Sequence, residues 1–237
     1  MTAWHTGRLC GFDLETTGVD VETDRIVTAC IVQCGGNQPT QSATWLADPG
    51  IDIPQQAEAV HGISTDRARA EGRPAAEIVG DVLATLRQAV AQGVPIVAMN
   101  ARFDLTMLDR EARRHGHDPL PDGLAGLCVV DPLVLDKAVD PYRRGKRRLT
   151  DLCAHYEVPI GEAHTADADA IAACRVAWRI GTLHSHIAAY DLRELHAVQA
   201  AWAATQAVSL QNYLRRKDPA AICPPEWPLI PHQQNGA

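Results

Sequence analysis

Three strand-like runs in succession, followed by an alternation of helical and strand-like segments, set narrow limits on what this chain can fold into. Residues 8–15, 26–33 and 41–46 are short and apolar-rich, and the turn cluster Gly35-Gly36-Asn37 separates the second from the third, as in an antiparallel meander. Residues 74–90 then put Ile78, Val79, Val82, Leu83 and Leu86 on one helical face, with Gly93 beyond the end. A fourth strand is expected over 94–99, a helix over about 102–115 that Gly116 terminates, and a fifth strand near 127–130. Helices are expected after Pro132, around 149–157 and over 166–180. The fold class is therefore α/β, with a mixed five-stranded sheet flanked by helices. With 237 residues and 46% hydrophobic content, the chain can bury one sizeable core. We expect one domain over residues 1–181 and an extension over 182–237, a helix at 188–216 and then a Pro-rich tail.

Three distant stretches carry acids that a divalent metal could use: Phe12-Asp13-Leu14-Glu15-Thr16-Thr17-Gly18, Asn100-Ala101-Arg102-Phe103-Asp104 and His164-Thr165-Ala166-Asp167-Ala168-Asp169. In the first, strand alternation sends Phe12 and Leu14 to one face and Asp13 and Glu15 to the other. Two carboxylates side by side on a half-buried sheet repel each other and lose hydration, so such a pair persists where a cation or proton sits between them. Each stretch alone has a plain explanation, because Asp13 and Glu15 could be a solvated strand edge or a helix cap, and Asp104, Asp167 and Asp169 all fall in the first turn of a helix, where acids suit the dipole. The conjunction of three, with a histidine five residues before the last acid, points to a nuclease.

On these motifs the chain resembles the DEDDh exonucleases, the proofreading-exonuclease-like group of the ribonuclease H-like superfamily. Asp-x-Glu-Thr-x-Gly is met by Asp13 to Gly18, Asn-x-x-Phe-Asp by Asn100 to Asp104, and His-x-Ala-x-x-Asp by His164 to Asp169. The resemblance implies Asp13, Glu15, Asp104 and Asp169 as ligands of two Mg²⁺ or Mn²⁺ ions, and His164 as the general base. It implies that Thr16, Thr17 and His61 line a pocket for the terminal nucleotide, with Gln56, Asn100 and Phe103 as further substrate contacts. Many members carry Glu at the position of Gln56 and His at that of Met99, so these departures touch substrate contacts and leave the acids intact. The chemistry agrees, since oxygen-only ligands favour Mg²⁺ or Mn²⁺ over zinc, and an imidazole suits proton removal from water near neutral pH.

A net charge of −7 argues at first against a nucleic-acid partner. Metal ligands account for part of it, and Tyr142-Arg143-Arg144-Gly145-Lys146-Arg147-Arg148 packs five positive charges into seven residues, either a solvated loop or a grip on a strand backbone. No stretch of 18 apolar residues occurs and the N-terminus lacks a signal-peptide pattern, so a soluble, cytoplasmic protein with no membrane partner is expected. Seven scattered cysteines read as small buried hydrophobes, and no spacing supports a zinc site from Cys30, Cys34, Cys153 and His155.

The expected activity is a metal-dependent 3′ to 5′ exonuclease acting on single-stranded DNA ends and close to proofreading. An RNA-directed enzyme of the same family and a non-catalytic nucleic-acid-binding module are the alternatives. A phosphatase using Asp13 as nucleophile fits less well, because that chemistry favours Asp at the position of Glu15. The Trp202 stripe and Trp227 suggest that residues 182–237 either dock a second copy or a polymerase-like partner, or close the domain's own core.

Overall fold

A computed structural model describes residues 3–120, 124–159 and 166–232. The strands are β1 (Arg8–Thr16), β2 (Ile26–Gly35), β3 (Gln41–Asp48), β4 (Arg73–Pro74), β5 (Ile96–Val97) and β6 (Val129–Val130), in the sheet order β4-β3-β2-β1-β5-β6. The first three form the expected antiparallel meander, with Asp13 opposite Cys30 and Glu15 opposite Thr28, while β5 and then β6 continue beyond β1 in parallel. The sheet thus has six strands rather than five. The addition, β4, pairs two residues with Ala47 and Asp48 at the sheet edge, where a proline is tolerated because no further strand needs its missing N–H.

Two helices lack an apolar stripe in the sequence and are marked only at their ends, by Gly62 after the first and the capping Ser64 before the second. The helix α1 (Gln55–His61) buries none of its residues and α2 (Thr65–Glu71) only Ala68, so neither shows the apolar stripe by which helices are read. Helices α3 (Ala75–Ala91) and α4 (Ala101–Arg114) cover one face of the sheet. Phe12, Leu14, Ile26, Ala29 and Ile31 meet Ile78, Val82, Leu83, Leu86, Leu105 and Leu108 there. Each of the large side chains contributes roughly 1.5–3 kcal/mol by its burial, several times any local propensity term.

The other face carries α5 (Pro132–Val139), α6 (Leu149–His155) and α7 (Ala166–Leu183), followed by α8 (Ser185–Ala188) and α9 (Leu192–Leu214). The helix expected over 188–216 starts at Leu192 because Asp191 caps it, in a reciprocal pair of hydrogen bonds with Glu194. This helix belongs to the core, with Leu195 and Gln199 fully buried. Gln199 gives its amide to the Val129 carbonyl at 2.9 Å and takes the Asp131 N–H at 2.8 Å, while His196 Nδ1 accepts the Val129 N–H at 3.1 Å. Two side chains thereby stand in for the strand that β6 lacks, and the open sheet edge is closed. The tail runs back over α4, where Trp227 and Leu229 pack on the first core and the Ile230 N–H reaches Thr106 at 3.0 Å.

Candidate active site

Strand β1 does what its alternation implies, with Phe12 and Leu14 in the core beneath and Asp13 and Glu15 on the face under α7. The close seat of α7 depends on Gly11. A methyl group there would stand 2.6 Å from the Ala170 carbonyl oxygen and 2.9 Å from Cys174 Sγ, so only glycine lets the helix lie this near the strand. Asp169, one residue before that contact, is thereby brought over β1. One carboxylate oxygen each from Asp13, Glu15 and Asp169 lie within 4.8 Å of one another, the sole such group of three or more His, Cys, Asp or Glu among the described residues.

Asp104 approaches from below and to the side. Its carboxylate is buried and accepts the Leu14 N–H at 3.2 Å, which fixes it to the strand between the two acids of β1. A second buried acid, Asp131, sets the helix that carries it. Asp131 caps α5 through the Leu133 N–H at 2.9 Å, and also takes the N–H of Asn100 at 3.1 Å and of Ala101 at 3.0 Å. One carboxylate thus ties together the starts of two helices. Sequence reasoning passed over Asp131 and Gly11; the Asp-Pro at a helix start was a readable capping signal for the first, whereas nothing local marks the second.

The electrostatics express crowding. Burial, then Asp104, Glu15 and Asp169, push the Asp13 carboxyl well above the ordinary range. Burial and Asp169 raise Glu15 to about 7. Asp104 is also driven up by burial, against the pull of the Leu14 N–H, with Asp131 and Glu15 adding repulsion. Acids held this way need positive charge, and a hard divalent cation with oxygen ligands answers both the charge and the donor type. Asp13, Glu15 and Asp169, with Asp104 beside them, could hold it.

The remaining sequence-derived residues sort differently. His61 ends α1 with its ring against the Thr16 backbone, and Nδ1 accepts the Ile63 N–H at 3.1 Å. Thr16 donates to the Gly18 carbonyl at 2.6 Å. Thr17 has a different task from the one expected: it is buried, donates to Asp24 at 2.8 Å and accepts the Arg25 N–H at 3.0 Å, so its hydroxyl is used to hold the turn after β1. Gln56 is exposed on α1. Asn100 takes the left-handed conformation, with φ of 65°, and leaves its side chain exposed, while Phe103 rests half-buried on the first core. His164 lies outside the described residues.

The basic run is also corrected in part. Arg143 and Arg147 both pair with the fully buried Asp136, the former at 2.8 Å, and Tyr156 completes that cluster from 2.9 Å. Arg148 pairs with Asp151 at 3.0 Å. Arg144 and Lys146 stay exposed, with no ion pair among the described residues.

Fold and site define a class: an α/β domain with a carboxylate centre at the edge where β1 ends and α4 begins. The family model RNase_T, described as "Exonuclease", matches residues 10–177, and the chain belongs to that family. Among curated proteins it is 30% identical over 160 residues to the DNA polymerase III subunit epsilon of Treponema pallidum, covering 67% of this chain and 69% of that protein. It is 28% identical over 169 residues to the PolC-type DNA polymerase III of Oceanobacillus iheyensis, which covers 71% of this chain but only 11% of the polymerase. Among solved structures, E. coli exonuclease I in complex with a dT13 oligonucleotide superposes with a TM-score of 0.64 at 19% identity, over 76% of this chain and 43% of that one, a likeness of fold. No helix among the described residues is long and apolar enough to cross a membrane.

Proposed function

We propose that this chain is a 3′ to 5′ exonuclease that releases nucleoside 5′-monophosphates from single-stranded DNA ends, with Mg²⁺ or Mn²⁺ at the carboxylate centre. The observation that carries this is the convergence of Asp13, Glu15 and Asp169 within 4.8 Å, reached from two elements far apart in sequence. Membership of the exonuclease family and likeness to a polymerase III epsilon subunit support it.

Bound there, a pair of divalent ions supplies an activated water, charge neutralisation at the phosphoryl group and stabilisation of the leaving 3′ oxygen. The residues' own work is distinct. Asp13 and Glu15 fix the centre to the sheet, Asp104 is held by the Leu14 N–H, and Asp169 closes it from above on a helix that Gly11 lets approach. Ligands on separate, well-packed elements hold a tighter geometry than ligands on one loop. His164 takes the proton from the attacking water, and His61 and Thr16 face the terminal nucleotide.

The test is incubation of the chain with 5′-labelled single-stranded DNA and RNA, with chelator or with Mg²⁺. Stepwise shortening of the DNA from its 3′ end in Mg²⁺, and none in chelator, is the expected result. His164→Ala is expected to cut turnover on the order of a hundredfold or more while sparing binding. Full activity in excess chelator would sink the metal reading, and preference for the RNA would move the substrate to the ribonuclease alternative.

A further inference from the structure

A trough runs between α5, the basic loop at 141–147 and α9. Its near end begins at Asn100, one turn before Asp104, and at Arg102, which faces the tail at Pro224, and its far end opens among Tyr142, Arg143, Arg147 and Tyr213. The two parts are continuous, because Lys137, Gln206 and Leu210 line both. The far part holds about 930 Å³, within the range of functional pockets, roughly 300–1,000 Å³, and narrows to about 50 Å³ in the near part.

Its chemistry is one-sided. In a chain of net charge −7, four basic side chains line the trough and no Asp or Glu does; Arg143 and Arg147 are held by the buried Asp136 and Arg102 by the Pro224 carbonyl, which leaves Lys137, among the described residues, as the uncommitted cation of the lining. Arg144 and Lys146 stand exposed on the adjoining loop. Lys137, at the junction, makes no hydrogen bond or ion pair among the described residues. Burial lowers its pKa; Arg147 and Arg102 push the same way, and Asp131 and Asp136 oppose them. Cations gathered so closely are relieved by an anion. Aromatic faces complete the pattern, with Tyr142 at 91% exposed and Tyr213 at 58%, both too open to be core residues.

We propose that this trough is a track for single-stranded DNA, holding the nucleotides that precede the 3′ end seated at the carboxylate centre. Basic side chains follow the phosphates, and Tyr142, together with the face of Tyr213 that Arg216 leaves open, offers a surface on which bases stack without regard to sequence, since every base has a π-face. The track rests on the exonuclease reading of the centre. It gives α9 a second task beyond closing the sheet edge. It also separates the basic run by role, with Arg143 and Arg147 committed to the Asp136 clasp, Arg147 also to neighbouring carbonyls, and the exposed Arg144 and Lys146 left to meet the strand.

The test reads binding in chelator, by fluorescence anisotropy of labelled dT16 and dT3, for the full chain and for the triple variant Lys137→Gln, Arg144→Ser, Lys146→Ser. The variant is expected to bind dT16 on the order of tenfold more weakly, to lose less than about twofold on dT3, and to show a salt slope shallower by about 0.7 for each phosphate contact removed. Tyr142→Ala, at a side chain too exposed to affect folding, is expected to weaken dT16 without changing that slope. Equal losses on dT3 and dT16, or unchanged dT16 binding in all variants, overturn the track. A chain that binds dT16 in this variant-sensitive way but releases no mononucleotide in Mg²⁺ overturns the exonuclease reading and leaves the track standing. Variant-sensitive binding of U16 with none of dT16 overturns the assignment to DNA.

Discussion

Burial and mutual repulsion raise the carboxyls of Asp13, Glu15 and Asp104, and this makes the carboxylate centre a source of instability when no cation offsets the charge. Glu15 is raised from 4.5 to about 7, first by burial and then by Asp169, and burial pushes Asp13 and Asp104 well above the usual range. An acid raised in the folded state keeps its proton where the unfolded chain has released it. Stability therefore falls as pH climbs from the ordinary carboxylate value through about 7. For Glu15 alone the loss is on the order of 3 kcal/mol. Metal-free protein should accordingly melt at a lower temperature near pH 8 than near pH 5.5, and saturating Mg²⁺ should remove most of the difference. Melting curves across that range, with chelator or with Mg²⁺, check both halves; a flat profile in chelator would mean that the acids are not crowded in solution. A second expectation separates neighbours. Asp169→Asn should abolish turnover, whereas Asp167→Asn, at an exposed side chain outside the carboxylate group, should retain most of it in the same labelled-strand assay.

Among the elements, legibility in the sequence followed burial. The meander and α3, α4 and α7 have apolar residues repeating at the period of their structure, and their bounds fell within a few residues of expectation. The exposed α1 and α2 have no such stripe, and the two-residue β4 is made by register with β3 rather than by its own residues. The acids were legible because β1 alternation puts Asp13 and Glu15 on one face by local geometry alone. What brings Asp169 to them was not, because the close approach at Gly11 is a tertiary fact. The basic run shows the same limit, since charge composition cannot tell a clasp from a surface. Asp136 sits fully buried between Arg143, Arg147 and Tyr156, and a buried carboxylate persists only with such partners. Asp136→Ala leaves two guanidiniums and a phenol partly stranded, so it should cost about 3–5 kcal/mol. Chemical denaturation measures that loss. A change below about 1 kcal/mol would show the loop to be held by something else.

Over the whole molecule, the segment after α7 decides whether the chain is one folding unit or a catalytic domain with an attachment. Interface and core readings differ in what the segment covers. Leu195 and Gln199 are fully buried, and Gln199 and His196 satisfy the Val129 carbonyl, the Val129 N–H and the Asp131 N–H along the outer side of β6. Trp227 adds its indole N–H to Asp131 at 3.3 Å, on the carboxylate that also anchors the start of α4 and hence Asp104. Removing the segment thus uncovers an apolar helix seat, opens a strand edge and loosens the helix that carries an acid of the active centre. Each unsatisfied buried backbone group costs roughly 1–3 kcal/mol, and an open edge invites pairing between chains. Truncation after Leu183 should therefore give protein that aggregates or melts far below the full chain, with activity lost alongside. Gln199→Ala supplies the graded version, since it removes one side chain and leaves the helix in place. It should lower stability by about 2 kcal/mol or more while turnover on a short strand persists at temperatures where the variant stays folded. A soluble truncated monomer with full activity and an unchanged melting temperature would assign the segment to docking instead.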